Sequence, residues 1–293
     1  MNAFWHLAGT LVLCTVVAGP LARARWVWRS PHTGVALWQM VGLTWALSVV
    51  GLLLEVGLAP YGAPIPVALG RWFDDAVRGD LTPLAVLVVL GLLSGADLLI
   101  GLGWTWWSVL RVRRRHRDVL ALVARRDEAA PGALVVDHPL VVAYCVPGAR
   151  SAVVLSSGAL DALTPDQLDA VLEHEHTHAR ERHDLVLLPF SALCSVLPRV
   201  RVVREVADAV ALLVEMCADY RAGLRCDARS LAAALRRFSA ARPPEGALGA
   251  ADVAVRARLA RLEGMSPLPA AARWSVLCTG LVMVSTPLSS LVW

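Results

Sequence analysis

Hydrophobic positions in this chain fall into four long runs with little alternation. Residues 4–20 (FWHLAGTLVLCTVVAGP), 35–58, about 81–107 and about 274–293 are almost continuously apolar. Each is close to the roughly 20 residues that a helix needs to cross a bilayer. Tryptophans bracket the runs as interfacial anchors do: Trp5, Trp26 and Trp28 flank the first, and Trp104, Trp106 and Trp107 close the third. Residues 1–6 hold no lysine or arginine, so the first run reads as a retained span and not as a cleaved secretory signal. Asp97, inside the third run, is costly in lipid and is expected to face the helix bundle.

The pattern changes between the third and fourth runs, where residues 111–272 are the one region able to hold a water-exposed domain. A basic helix is predicted over about 111–127. In "GALVVDHPLVVAYCVPGARSAVVLSSGAL", 132–160, β-branched runs broken by Pro147-Gly148 and Gly158 predict strand, turn, strand. Thr164 as N-cap, Pro165 at the first helical position and Gln167 as the third member of a capping box open a helix of about 165–183. "DLVLLPFSALCSVLP", 184–198, is apolar but too short to span, which leaves a core helix and a membrane-surface helix both open. A further helix is predicted over 200–222, and "ARPPEGALG", 241–249, reads as a linker. The expected organisation is three spans in 1–110, a domain in 111–272 and a fourth span in 273–293. The fold class is mainly α, four transmembrane helices with an α+β domain.

Composition supports the membrane reading and charge orients it. The chain is 57% hydrophobic and only 18% charged, too apolar for an ordinary soluble domain of 293 residues. The first connection carries Arg23, Arg25 and Arg29 with no acid. The second sets Arg71 and Arg78 against Asp74, Asp75 and Asp80, and the third run leads into "RVRRRHR", 111–117. Basic flanks stay cytoplasmic, so the chain is expected in the cell membrane with both termini outside and the 111–272 domain in the cytoplasm. These flanks account for the net charge of +4, and no direct nucleic-acid partner is expected. Six cysteines without CxxC spacing predict no disulfide framework.

Candidate chemistry is concentrated in "LEHEHTHARERHD", 172–184, which holds four of the chain's eight histidines. On a helix, His174 and His178 lie one above the other, while His176 and His183 point to other faces and read as surface or hydrogen-bonded residues. His174-Glu175-x-x-His178 is the HExxH zinc signature: two imidazoles on one face hold a metal, and the glutamate takes a proton from the attacking water. This composition would produce the pattern by chance in roughly 0.7% of such chains. A third ligand is required. Glu181 shares the histidine stripe but sits about 4.5 Å further along the axis than His178, so the helix would have to bend. Glu215 and Asp219, one turn apart on the helix 200–222, suit the task better. Glu215 can close the site from a facing helix, and Asp219 can orient a ligand histidine.

The stretch "VLSSGALDALTPDQLDAVLEHEHTHARERHDLVLLPF", followed by Glu215-x-x-x-Asp219, resembles the gluzincin membrane peptidases. It is most similar to the BlaR/MecR-type family and more distantly to the HtpX and CAAX-processing peptidases. The likeness covers about 140–222. It implies a zincin-like domain with one Zn2+ per chain, held by His174, His178 and Glu215. It also implies Glu175 as general base, Asp219 behind a ligand histidine, and an edge strand 151–157 (Ser151, Val153, Leu155) to which an extended substrate adds. The implied partners are the lipid bilayer and a cytoplasmic or membrane-proximal protein substrate, for example a transcriptional repressor cut in regulatory proteolysis. Sensor members carry a further domain after the last span; with Trp293 in or just after the fourth run, such a domain is not expected here. A zinc-binding signalling scaffold and a housekeeping processing peptidase remain as alternatives.

Overall fold

The computed structural model describes residues 2–80, 82–148, 151–240 and 248–290. Leu81 and residues 291–293 of the expected spans, residues 149–150 of the strand turn and most of the expected linker, 241–247, lie outside them. In chain order the elements are α1 (Asn2–Ala22), α2 (Pro31–Leu58), α3 (Ile65–Arg78), α4 (Ala85–Val123), β1 (Ala124–Arg125), β2 (Ala133–Val136), β3 (Ala143–Val146), β4 (Ala152–Ser156), α5 (Ser157–Ala162), α6 (Pro165–Arg180), α7 (His183–Val196), α8 (Arg201–Gly223), α9 (Ala228–Ala240), α10 (Leu248–Leu262) and α11 (Ala270–Ser290).

Among the described residues four helices, α1, α2, α4 and α11, are long and apolar enough to cross a membrane. The other three pack on α2. Small residues let the backbones approach: a Cβ built on Gly57 would lie 2.7 Å from Val88, so only glycine fits where α2 meets α4. Thr10 and Ser48 hydroxyls, 3.0 Å apart, join α1 to α2 inside the apolar layer. At the other end of the bundle Arg29 Nε donates to the Ser266 carbonyl (3.0 Å), and Ser30 Oγ accepts from the Leu268 N–H (3.2 Å). The connection after α1 and the segment leading into α11 therefore meet at one end of the bundle.

Four features of the helices depart from the sequence reading. The basic helix is not a separate element: α4 runs unbroken for 39 residues out of the third span. Nothing in RVRRRHR stops a helix, and Arg111 stacks over the Trp107 ring one turn back (3.7 Å), bridging the change from apolar to basic sequence. Asp97 does not face the bundle; it is exposed. Val88, Gly91 and Gly95 form the side of α4 turned to α2, and at 100° per residue Asp97 lies about 120° or more round the helix from Gly91 and Gly95. The connection 59–80 contains a helix, α3, whose Ile65, Ala68 and Trp72 pack on Leu54, Leu58 and Val88. Finally, 184–198 is neither simply core nor simply surface. α7 wedges between α4 and α8, burying Phe190 and Ala192, and its end brings Val196 against Gly101 in the apolar part of α4.

The sheet has the order β1-β2-β4-β3. β2 and β4 are parallel, and β3 returns antiparallel beside β4. The expectation that 151–157 forms a free edge therefore fails, since Val153 and Leu155 lie in an interior strand paired on both sides, while Ser151 lies exposed just before it. The physical reason is in the sequence: Val153, Val154 and Leu155 are consecutive apolar residues and all three are buried, as suits a central strand covered on both faces. The free edge nearest α6 is β3.

Two cores place the helices that carry the site. Leu168, Val171 and Leu172 of α6 pack with Val135, Val153 and Leu155 of the sheet and Ala234 of α9. Val206, Val210, Leu213, Val214 and Met216 of α8 pack with Cys14 and Leu21 of α1 and Leu37, Trp38 and Val41 of α2. One site helix thus rests on the sheet and the other on the spans.

Candidate metal centre

α6 starts where its sequence says it should, with Pro165 at the first position and Gln167 Oε1 accepting the Thr164 N–H (3.3 Å). Its apolar stripe faces the sheet, which turns the stripe holding His174 and His178 toward α8. There the Nε2 atoms of His174 and His178 lie 3.2 Å apart. Glu215 reaches in from α8, with Oε2 3.5 Å from His174 Nε2 and Oε1 3.5 Å from His178 Nε2. Ligand atoms from these three residues all lie within 4.8 Å of one another. Donors about 2.0–2.1 Å from a tetrahedral zinc are separated by about 3.3–3.4 Å, so the observed spacings of 3.2, 3.5 and 3.5 Å fit such an ion. Two imidazoles and one carboxylate also leave a fourth position open, as a catalytic zinc site requires.

Each histidine is backed by its own partners. Asp219 Oδ1 lies 3.0 Å from His174 Nδ1, and Asp219 is itself buried. Behind His178 a relay of polar groups leads away from the centre. His178 Nδ1 is 3.0 Å from His183 Nδ1, and His183 Nε2 is 3.2 Å from Glu181 Oε2. With Nε2 of His178 turned to the metal position, its Nδ1–H donates to His183, and His183 Nε2–H donates to Glu181. Glu181 also meets Arg221 of α8 (2.6 Å) and His32 at the start of α2 (3.1 Å). Glu181, weighed on the sequence as a ligand, therefore stands two side chains behind one. His183 is buried in this relay, made possible by the left-handed Arg182 (φ 49°) that turns the chain from α6 into α7. His176 has no part in the centre.

Sequence reasoning missed Arg258. It reaches from α10 to grip Asp219 with two bonds (Nε to Oδ2, 2.8 Å; Nη2 to Oδ1, 2.7 Å) and Glu215 with a third (Nη1 to Oε2, 2.9 Å). No local signal marks it. It lies 39 residues beyond Asp219 in a helix holding two other arginines, Arg256 and Arg261.

The electrostatics follow from this packing. Burial alone would lower the His174 imidazole, but the Asp219 and Glu215 carboxylates outweigh it and raise the group to about 10. Burial carries His178 the other way, down to about 4. Burial would raise Glu215, yet contact with His174 and the charge of Arg258 bring it to about 2, and Asp219 is also held well below the usual range. Without a metal the two carboxylates favour a proton on His174, which a metal ion at this centre would displace, while His178 is held neutral by its burial. Glu175 lies beside the centre, and burial raises its carboxyl above the usual range. It also accepts a hydrogen bond from the Cys145 N–H of β3.

A His-His-Glu donor set with an adjacent carboxylate is an arrangement that can hold one metal ion and serve hydrolysis. Residues 110–225, which include this donor set and the last 14 residues of α4, match the model of peptidase family M48, a family of zinc metalloproteases. No curated protein and no solved structure matches the chain.

Proposed function

We propose that this chain is a multi-pass membrane zinc endopeptidase of the M48 family, cutting a protein segment close to the bilayer in regulatory proteolysis. The observation that carries the reading is the convergence of His174, His178 and Glu215 at tetrahedral spacing beside Glu175, within the family match. A zinc ion held by those three residues would make a water molecule acidic enough to attack at neutral pH and would polarise the scissile carbonyl. Glu175 takes the proton from the attacking water and delivers it to the leaving amine, and its burial-raised pKa suits a group that must do both. Asp219 and the His183–Glu181 pair hold the two imidazoles in place.

The substrate lies along β3. Ser156 N–H bonds the Val142 carbonyl (3.0 Å), so in this antiparallel ladder Val142 and Tyr144 turn their polar groups to β4 while Ala143 and Cys145 turn theirs outward. Glu175 takes the Cys145 N–H, leaving Ala143 to pair with an extended peptide entering beside the catalytic helix. The site faces the end of the bundle where α2 begins, since His32 is tied to Glu181 and Leu213 packs on Gly34. That position favours a membrane-proximal cut. The arginine distribution supports a cytoplasmic position for this end and an outside position for both termini, which would leave a cytoplasmic repressor within reach, as in the BlaR/MecR-type resemblance. Cysteines introduced at residues 25, 70 and 130 and treated with an impermeant reagent should react only at 70, and reaction at 130 would reverse the orientation.

The deciding experiment is Glu175→Gln, which keeps the shape of the side chain and leaves all three ligands in place. Zinc content should be retained and turnover of a cleaved protein should fall by about 10²–10⁴-fold. A zinc-loaded Glu175→Gln variant with unreduced turnover would remove the peptidase mechanism, and equal signalling by both forms would favour a scaffold.

A further inference from the structure

Asp97 is the one charged side chain in the middle of α4's apolar stretch, and it points away from every other helix of the bundle. It is exposed, and among the described residues it makes no hydrogen bond or ion pair. Fourteen residues separate it from Arg111, the first basic residue beyond the span, a rise of about 21 Å, and thirteen separate it from Leu84, about 20 Å the other way. It therefore lies near the mid-depth of any bilayer that α4 crosses, beyond the reach of its short side chain to either surface. Carboxylates at such depth nearly always meet a polar or charged partner.

The residues around Asp97 form a seam. Val86, Leu90, Leu93, Asp97, Ile100 and Trp104 follow one another at steps of four and three, the spacing of a helix face that packs against a second helix. The five apolar members are 57%, 46%, 59%, 68% and 65% exposed, so no described residue of this chain covers them. Lipid tails would satisfy those five but not the carboxylate between them.

We propose that this face of α4 docks a membrane-spanning helix of another protein that carries a lysine or arginine at the depth of Asp97. Charge selects this occupant over a second copy of the chain. Two copies inserted in the same orientation and joined through this seam would bring Asp97 against Asp97. Just beyond the membrane they would also bring Arg111 against Arg111 and Arg115 against Arg115, since both arginines continue the same stripe. No other described span offers a cation at that depth: the only basic residue in α1, α2 or α11 besides the histidines His6 and His32 is Arg273, in the first turn of α11.

The test uses the full-length protein in phosphatidylcholine vesicles, labelled with a donor dye, and acceptor-labelled leucine-based spanning peptides with a single central lysine, leucine or aspartate. Energy transfer should report at least tenfold tighter association of the lysine peptide than of the leucine peptide. Asp97→Leu should abolish that preference, with Asp97→Asn as the milder variant if the leucine form does not accumulate. Zinc content should be the same in wild type and variants, because Asp97 has no contact with the metal centre. Equal binding of lysine and leucine peptides to wild type overturns the proposal. So does self-association of the chain that disappears in Asp97→Leu, or tighter binding of the aspartate peptide, since either makes a second copy the occupant.

Discussion

Replacing Asp219 by alanine tests whether the centre is built as an interlocked set of charges. The substitution removes two short bonds from Arg258 (2.7 and 2.8 Å) and the carboxylate 3.0 Å from His174 Nδ1. Arg258 is left with Glu215 as its only partner, in a place where water replaces little of what is lost, because Asp219 is 1% exposed. Breaking one side of a buried pair costs about 3–5 kcal/mol, the expected loss of stability for the metal-free protein. Loss of the partner behind a ligand histidine should also weaken zinc binding about 10–100-fold. The cause can be separated from simple cavity formation with a double-mutant cycle. Arg258→Met alone leaves Asp219 without its guanidinium and should cost a similar amount, whereas the double variant removes both charges together. Its loss should fall short of the sum of the two single losses by about 1.5–3 kcal/mol. Denaturant midpoints of the metal-free proteins in detergent give the stabilities, and competition with a chromogenic chelator gives the zinc affinities. Losses that add to within about 0.5 kcal/mol, together with wild-type zinc affinity in Asp219→Ala, would refute the interlocked picture.

Other substitutions probe neighbouring parts of the site. Glu215→Ala should purify without zinc, while Glu181→Ala should keep a full equivalent at an affinity lowered by about 10–100-fold, because Glu181 acts only through His183; metal analysis and chelator competition distinguish the two, and a zinc-free Glu181→Ala would make it the ligand. Ala143→Pro removes an outward-facing N–H without touching the β3–β4 ladder, so zinc and melting temperature should hold while cleavage of an extended peptide substrate drops; unimpaired cleavage would take the substrate off β3.

What the sequence disclosed depended on how local the information was. His174 and His178 share one helix face by a four-residue step with Glu175 beside them, and Glu215 and Asp219 repeat that step on α8, so both half-sites could be read from spacing, and the structure brings them together. Arg258 could not be read, because it joins them only through the folding of α10 across α8. The strand order was misjudged for a related reason. The turn at Pro147-Gly148 indicates that β3 and β4 are neighbours, but the parallel partner that makes β4 interior is β2, which meets it only across the intervening segment. The four spans were visible in hydropathy alone. Asp97 was assigned to the bundle by the general cost of charge in lipid, whereas the small residues Gly91 and Gly95 had already taken the bundle-facing side of α4.

The unbroken course of α4 makes it a beam shared by the membrane and the catalytic sheet. Between Trp104 and Val123 it contains no proline or glycine, and therefore no site at which helices usually bend. Beyond Trp107 it projects sixteen residues, about 24 Å, and ends directly in β1. On the way His116 meets the Tyr144 hydroxyl (2.8 Å), Arg117 bonds the Pro147 carbonyl, and Leu120 packs with Val146 and Val154. A tilt of 10° about Trp107 displaces the far end by about 4 Å, and the sheet must follow it. α8 is anchored instead to α1 and α2. α6 rests on the sheet that α4 carries, so any lean of α4 would be felt where α6 meets α8, between the two histidines and Glu215.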